Sequence, residues 1–252
     1  MLLNTCIHPP YQGGRRSFDP SLYTNHPKGM IGVDVPKGGF FGVPGVRGII
    51  GSMKIFAIGR NYVEHARELG NEVPEEPVIF MKPSTALLGP GQAFVYPDFS
   101  NDIHYELELV LRVSRLVRQG TGGVAGDVCD AVSVGIDFTA RDLQGMLKKK
   151  GLPWEVAKAF DGSASIGEFL EWDPTQSLSF SLLVNGEQRQ SATSEQMIHG
   201  FDAIITHISK FFTIEPGDLI YTGTPSGVGP VSRGDLLEGF LGSQKLLTCG
   251  IV

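Results

Sequence analysis

The chain has 252 residues, 41% of them hydrophobic and 19% charged, with a net charge of −6. That length supports one large core or two small ones, and the acidic balance leaves no broad basic surface for nucleic acid. No apolar run reaches the roughly 20 residues of a membrane-spanning helix, and Pro9, Pro10, Arg15 and Arg16 stand where a secretory signal would need an apolar stretch.

Residues 1–52 are rich in Gly and Pro and show no sustained period of 2 or 3.6. They are expected to form an irregular extension, or else to lie upstream of a true start at Met53, which immediately precedes the first good strand pattern. N-terminal sequencing or intact mass of the native protein distinguishes the two. From Met53 the local signals sharpen. Lys54 to Ile58 reads as a strand, Asn61 as the cap of a short helix over Tyr62 to Leu69, and Gly70 as its left-handed stop. Val78 to Met81 reads as a second strand. From His104 to Val113 the residues Tyr105, Leu107, Leu109, Leu111 and Val113 alternate on one face, against His104, Glu106, Glu108, Val110 and Arg112 on the other. A Gly-rich turn over 120–126 precedes a strand from Val132 to Phe138. Helical spacing is expected over Thr139 to Lys149 and over Met197 to Phe212. Leu178 to Val184 runs into the hairpin signal Asn185-Gly186, and further strands are expected at Asp218 to Tyr221 and Lys245 to Cys249. Many short strands without regular strand–helix alternation argue for a β-rich α+β fold, not a doubly wound sheet. Cys6, Cys129 and Cys249 lie far apart without metal-type spacing, which fits a reducing cytoplasm better than a disulfide framework.

Glu106 and Glu108, two apart on one strand, point the same way and repel each other unless a cation or solvent intervenes. A solvated outer face is the plain reading. Asp137, at the end of a very apolar strand, adds a third carboxylate, and an oxygen-only set of three suits Mg²⁺ or Mn²⁺, with Ca²⁺ also compatible. His65 and Glu68 are one helical turn apart, so the carboxylate can orient the ring and raise its basicity. A surface ion pair is the alternative. Lys82 follows an apolar strand, Arg141 and Gln144 are neighbours on a helix, and Lys158 sits in an apolar setting. Each alone reads as a solvated charge or amide, and together they could hold an anion against a metal. Lys148 to Lys150 read as a solvated helix end near its negative pole. The turn from Thr222 to Pro230, with Thr222 and Thr224, offers hydroxyls and backbone N–H groups to a carboxylate or phosphate. It carries neither a Walker A pattern nor a dinucleotide fingerprint, and Ser226 lacks a nucleophile elbow.

Taken in order, several segments resemble the fumarylacetoacetate hydrolase family, most closely its short branch of acylpyruvate hydrolases and oxaloacetate tautomerases. They are Ile58-Gly59-Arg60-Asn61-Tyr62-Val63-Glu64-His65, Phe80-Met81-Lys82-Pro83-Ser84-Thr85-Ala86, His104-Tyr105-Glu106-Leu107-Glu108-Leu109, Asp137 to Gln144, Lys150 to Trp154, Ala157 to Asp161, Val184 to Glu187 and Thr222 to Pro225. The resemblance covers about 200 residues from Met53. It implies a mixed β-sandwich roll with a few covering helices over 53–252, usually a homodimer. It implies metal ligands at Glu106, Glu108 and Asp137, catalytic roles for His65, Glu68 and Lys82, and substrate contacts from Arg141, Gln144, Lys158, Thr222 and Thr224. The implied activity is divalent-metal-dependent hydrolysis of a carbon–carbon bond in a 2,4-dioxo acid such as an acylpyruvate, with His65 activating water and a metal-stabilised pyruvate enolate departing. The same apparatus serves oxaloacetate keto–enol tautomerisation, decarboxylation or isomerisation of 2-hydroxydienoates, and a metal-binding module without activity is a further alternative. The implied partner is a small 2-oxo or 2,4-dioxo carboxylic acid, with no nucleic acid or membrane, and the implied location is cytoplasmic.

Overall fold

The computed structural model describes residues 53–252 apart from Leu69, Asn71 and Glu72, so the expected extension over 1–52 lies outside the described residues. In chain order the elements are β1 (Ile55–Gly59), α1 (Val63–Glu68), β2 (Val78–Lys82), β3 (Leu87–Leu88), β4 (Ile103–Tyr105), β5 (Leu107–Val113), α2 (Ala125–Val128), β6 (Cys129–Asp137), β7 (Thr139–Ala140), α3 (Arg141–Lys150) and α4 (Glu155–Lys158). There follow β8 (Ala164–Ile166), β9 (Leu170–Glu171), β10 (Ser179–Val184), β11 (Glu187–Thr193), α5 (Phe201–Phe211), β12 (Leu219–Tyr221), β13 (Gly229–Pro230), β14 (Leu236–Leu241) and β15 (Gln244–Gly250).

Three sheets build the roll implied by the resemblance. The largest runs β2-β1-β12-β5-β6-β8-β3, with β9 also paired to β6. It is mixed: β1 lies parallel to β12 and β3 to β8, while the other pairs are antiparallel. A four-stranded sheet, β11-β10-β14-β15, packs on it closely enough that a Cβ on Gly239 would stand 3.0 Å from Val134. A small third sheet, β13-β4-β7, lies beside them. Interior strands are buried on both faces, which is why β1 reads as an unbroken apolar run. Leu107, Leu109, Leu111, Val134 and Ile136 are wholly buried, each worth roughly 1.5–3 kcal/mol against exposure.

Several boundaries depart from the sequence expectation, each for a tertiary reason. The run His104 to Val113 is two strands, broken at Glu106, because β4 pairs with β7 and β13 while β5 pairs with β6 and β12. Its acidic face is not a solvated outer face, since Glu108 and Val110 are as buried as the leucines. Thr139 and Ala140 are taken by β4, so the following helix starts at Arg141; it ends one residue past the expected Lys149 and is capped by Gly151 at φ 64°. The last helix starts at Phe201 because Met197 bridges Tyr62 and the Ile198 N–H donates to Asn61 O. Asn61 is not a helix cap. It is fully buried, donating from Nδ2 to His199 O (3.0 Å) and Thr222 O (2.8 Å) and accepting the His199 N–H on Oδ1 (2.8 Å). The Asn185-Gly186 hairpin joins β10 to β11 as expected, with both residues at positive φ. Among the described residues no helix is long and apolar enough to cross a membrane.

Candidate active site

Glu106, Glu108 and Asp137 converge with ligand oxygens within 4.8 Å of one another, and none is more than 5% exposed. The register explains the meeting. Leu107 pairs with Ile136 and Glu108 with Gly135, while the Asp137 N–H donates to Glu106 O at 2.9 Å. Glycine is required opposite Glu108: a Cβ on Gly135 would fall 2.6 Å from Ser165 O and 2.8 Å from the Tyr221 ring.

Two buried lysines serve this cluster differently. Lys158 Nζ donates to Asp137 Oδ2 (2.7 Å), Glu106 Oε2 (2.9 Å) and Thr139 Oγ1 (2.6 Å). Burial works to discharge it, but the Asp137 and Glu106 carboxylates outweigh burial and hold its pKa above the ordinary lysine value. Lys82 Nζ lies 2.7 Å from Asp137 Oδ1 but directs its hydrogen bonds to Lys158 O and to Ser163 O and Oγ. Burial dominates there and lowers its pKa, although Asp137 opposes the shift.

The acids also differ. Burial would raise Glu106, but Lys158, Arg141 and His65 hold it far below the usual carboxylate range. Glu108 is pushed well above that range by burial and by the Asp137 and Glu106 charges, against the pull of the Gly223 N–H at 2.7 Å. Asp137 Oδ1 is buried against the Lys82 ammonium at 2.7 Å. A neighbouring carboxylate strained by like charge and an all-oxygen donor set together fit a hard divalent cation such as Mg²⁺ or Mn²⁺.

His65 is 4% exposed, and its Nδ1 lies 3.3 Å from Glu68 Oε2. Burial lowers its pKa despite Glu106 and Glu68, so the ring is neutral at neutral pH. Glu68 in turn accepts the Gly227 N–H at 3.2 Å, tying α1 to the turn after β12.

The three acids, His65, Arg141, Gln144, Lys158 and Thr224 line one small cleft that opens to solvent. Arg141 donates to Glu106 Oε1 (2.6 Å) and to Gln144 Oε1 (2.8 Å). Lys82, Glu68 and Thr222 do not line it. Lys82 lies behind Asp137, Glu68 braces His65, and Thr222 spends its hydroxyl on Leu109 O at 2.9 Å. The N–H groups of Gly223 and Gly227, expected to face a ligand, go to the chain's own Glu108 and Glu68.

Sequence reasoning missed four contributors. Thr139 donates to Glu106 Oε1 at 3.0 Å, and Gln190 joins the Leu107 N–H to Thr224 Oγ1 and Pro225 O. Lys148, read as part of a solvated helix end, is half-buried over the Trp154 ring and lines the cleft, as does Arg60. Signals existed for Arg60 and Thr139, each inside a motif otherwise read for its neighbours.

Over 200 residues the chain is 42% identical to oxaloacetate tautomerase YcgM of Escherichia coli K12, covering 77% of this chain and 91% of that protein. Human mitochondrial oxaloacetate tautomerase FAHD1 is 42% identical over 188 residues, 73% of this chain and 85% of the relative. The crystal structure of fumarylpyruvate hydrolase from Pseudomonas aeruginosa in complex with Mn²⁺ and pyruvate superposes with a TM-score of 0.73 at 35% identity, covering 80% of this chain and 90% of that one. Residues 54–248 match the family described as fumarylacetoacetate (FAA) hydrolase, C-terminal. The chain belongs to the fumarylacetoacetate hydrolase family.

Proposed function

We propose that this protein is an oxaloacetate keto–enol tautomerase that works with a divalent cation held by Glu106, Glu108 and Asp137. The observation that carries the reading is a neutral, buried His65 facing the same cleft as three converging carboxylates. The resemblance alone put carbon–carbon hydrolysis first. Two relatives at 42% identity, both named oxaloacetate tautomerase, move tautomerisation ahead of it.

In the enol-to-keto direction one proton leaves the C2 hydroxyl and one arrives at C3. His65 Nε2 is the group to hold and return that proton, with Glu68 fixing the ring through Nδ1. When bound, the divalent cation supplies Lewis acidity that stabilises negative charge on the C2 oxygen. Arg141, Gln144 and Thr224 orient the C1 carboxylate from the cleft wall, and Lys158 keeps Glu106 ionised while its ammonium holds Asp137 in place. Lys82 acts as a positioning residue beneath Asp137. Cys129 and Cys249 are buried free thiols, which suits the cytoplasmic location we assign. The homodimer implied by the resemblance is retained in this reading.

Hydrolysis of a 2,4-dioxo acid is the second reading. The fumarylpyruvate hydrolase neighbour and the capacity of the same imidazole to activate water favour it. One assay separates them. The enol absorbance of oxaloacetate and of acetylpyruvate is followed with Mg²⁺ or Mn²⁺ and with EDTA, and pyruvate is quantified. Metal-dependent decay of oxaloacetate enol without pyruvate is expected. Pyruvate from acetylpyruvate would make the protein a hydrolase, pyruvate from oxaloacetate a decarboxylase, and turnover unaffected by EDTA would remove the metal from the reading.

A further inference from the structure

The Leu107 N–H, between Glu106 and Glu108, is served by a side chain from another sheet. Leu109 O, on the edge of β5 that faces β12, is taken by the Thr222 N–H. β12 pairs no further than Tyr221 with Val110, so Leu107, two residues back on that same edge, has no strand beside it. Gln190 Oε1 accepts the Leu107 N–H instead, at 2.9 Å. The other end of the same amide donates from Nε2 to Pro225 O at 3.0 Å and to Thr224 Oγ1 at 2.9 Å. Gln190 is 1% exposed and comes from β11, in the four-stranded sheet.

These partners fix which way round the amide lies. The Leu107 N–H can only donate and Pro225 O can only accept, so Oε1 must face Leu107 and Nε2 must face Pro225. Nε2 carries two protons, and both are then spent, one on Pro225 O and one on Thr224 Oγ1. Thr224 must therefore accept from Gln190, and it keeps its own proton for another partner. Among the described residues it donates to none, although it is 3% exposed and lines the cleft beside the three acids. A buried hydroxyl with an unspent proton at a cleft wall is a donor left for a ligand.

The backbone of β11 is shaped to deliver this amide. Leu182 pairs with Gln190 but Leu183 with Gln188, a bulge that leaves Arg189 as the extra residue; bulges re-aim the side chains beside them. The turn after β12 comes to meet it. Gly227, at φ 94°, lies so close that a Cβ there would collide with Arg189 O and stand 3.4 Å from Gln190 Cγ. We infer that Gln190 is a positioning residue for the proposed reaction: by donating to Thr224 Oγ1 it compels that hydroxyl to donate to the carboxylate of the bound acid. A hydroxyl already fixed as a donor needs no reordering when the anion arrives. The inference rests on reading the cleft as a site for a chelating 2-oxo acid.

Oxalate, an unreactive chelator shaped like the 2-oxo acid end, is the probe, and its equilibrium affinity for the full-length, Mn²⁺-loaded protein is the readout. Gln190→Glu is the informative variant. Buried in place of the amide, the introduced carboxyl is protonated. It can still accept from Leu107 and donate to Pro225 O, but it has no second proton for Thr224, whose hydroxyl then turns back to it. Oxalate affinity should fall roughly tenfold or more, the scale of a hydrogen bond to a charged group, while Mn²⁺ affinity holds. Thr224→Val should lose as much, and Thr224→Ser should not. The double variant should bind oxalate no worse than Thr224→Val alone, because the two residues act through one hydroxyl. Gln190→Met, which donates nothing, runs the same cycle if Gln190→Glu does not fold. Losses that multiply in the double variant would make Gln190 a brace of the fold and overturn the inference. So would full oxalate affinity in Gln190→Glu, or loss of Mn²⁺ together with oxalate. Wild type that does not bind oxalate would remove the reading of the cleft and the inference with it. The expected coupling in a protein that leaves oxaloacetate enol untouched would instead refute the proposed reaction and leave the role of Gln190 standing.

Discussion

Imidazole burial outweighs two nearby carboxylates at His65, and the sign of that balance has a kinetic consequence. A base whose pKa lies below the ordinary 6.5 stays neutral into mildly acidic solution. The acid limb of kcat/KM is therefore expected below pH 6.5, with activity lost only as pH falls through the lowered value; a limb at or above 6.5 would remove His65 as the base. His65→Gln should lower kcat by roughly 10²–10⁴-fold with metal affinity retained, because the ring is not among the three oxygen donors. Period put Glu106 and Glu108 on one face but read that face as solvated; the resemblance, not the period, joined them with Asp137 into a ligand set. Lys82, Thr222 and Thr224 were not legible in the same way. Whether a side chain faces a cleft or a neighbouring carbonyl depends on partners more than a hundred residues distant, as with Thr222 and Leu109.

The connection between β1 and α1 shows how one side chain can organise an element. Asn61 ties it to His199 before α5 and to Thr222 after β12, and His65 lies one turn further along. Asn61→Ala should destabilise the fold by about 2–3 kcal/mol, since it strands buried backbone groups as well as removing three hydrogen bonds. Chemical denaturation checks this, and a change under 0.5 kcal/mol would mean that water satisfies those groups instead. The same residue explains a missed sequence signal. Asn before a short helix reads as a cap by local rules, and only the tertiary partners reveal a staple. Element existence was otherwise readable from period and turn residues, while the boundaries at Glu106, Arg141 and Phe201 were set by pairing with distant strands or bridges.

At the scale of the molecule, every residue assigned to the site lies between Met53 and the C-terminus, and the family match spans 54–248. We expect a protein trimmed to 53–252 to keep its turnover and its melting temperature. Loss of either on trimming, measured by the enol assay and by calorimetry, would assign residues 1–52 a part in the fold. The β-rich architecture was legible because alternation, the Asn-Gly hairpin and scarce helical spacing agree. The division into three sheets was not, because a strand that changes sheet midway leaves its alternation intact.

That mid-strand change divides the labour of the cleft. β4 and β7 pair with each other, and they lead directly into Glu106 and Arg141. Glu108 and Asp137 ride on β5 and β6 in the large sheet. The small sheet thus acts as a separate mounting for Arg141, joined to the other two acids of the cluster through Glu106. Inherited changes in the mounting can re-aim Arg141, within the limits set by Ile103, Tyr105 and Ala140, which share one core with the large sheet. A family whose members carry names as different as tautomerase and hydrolase has, in this seam, a place to diverge while its central chemistry stays fixed.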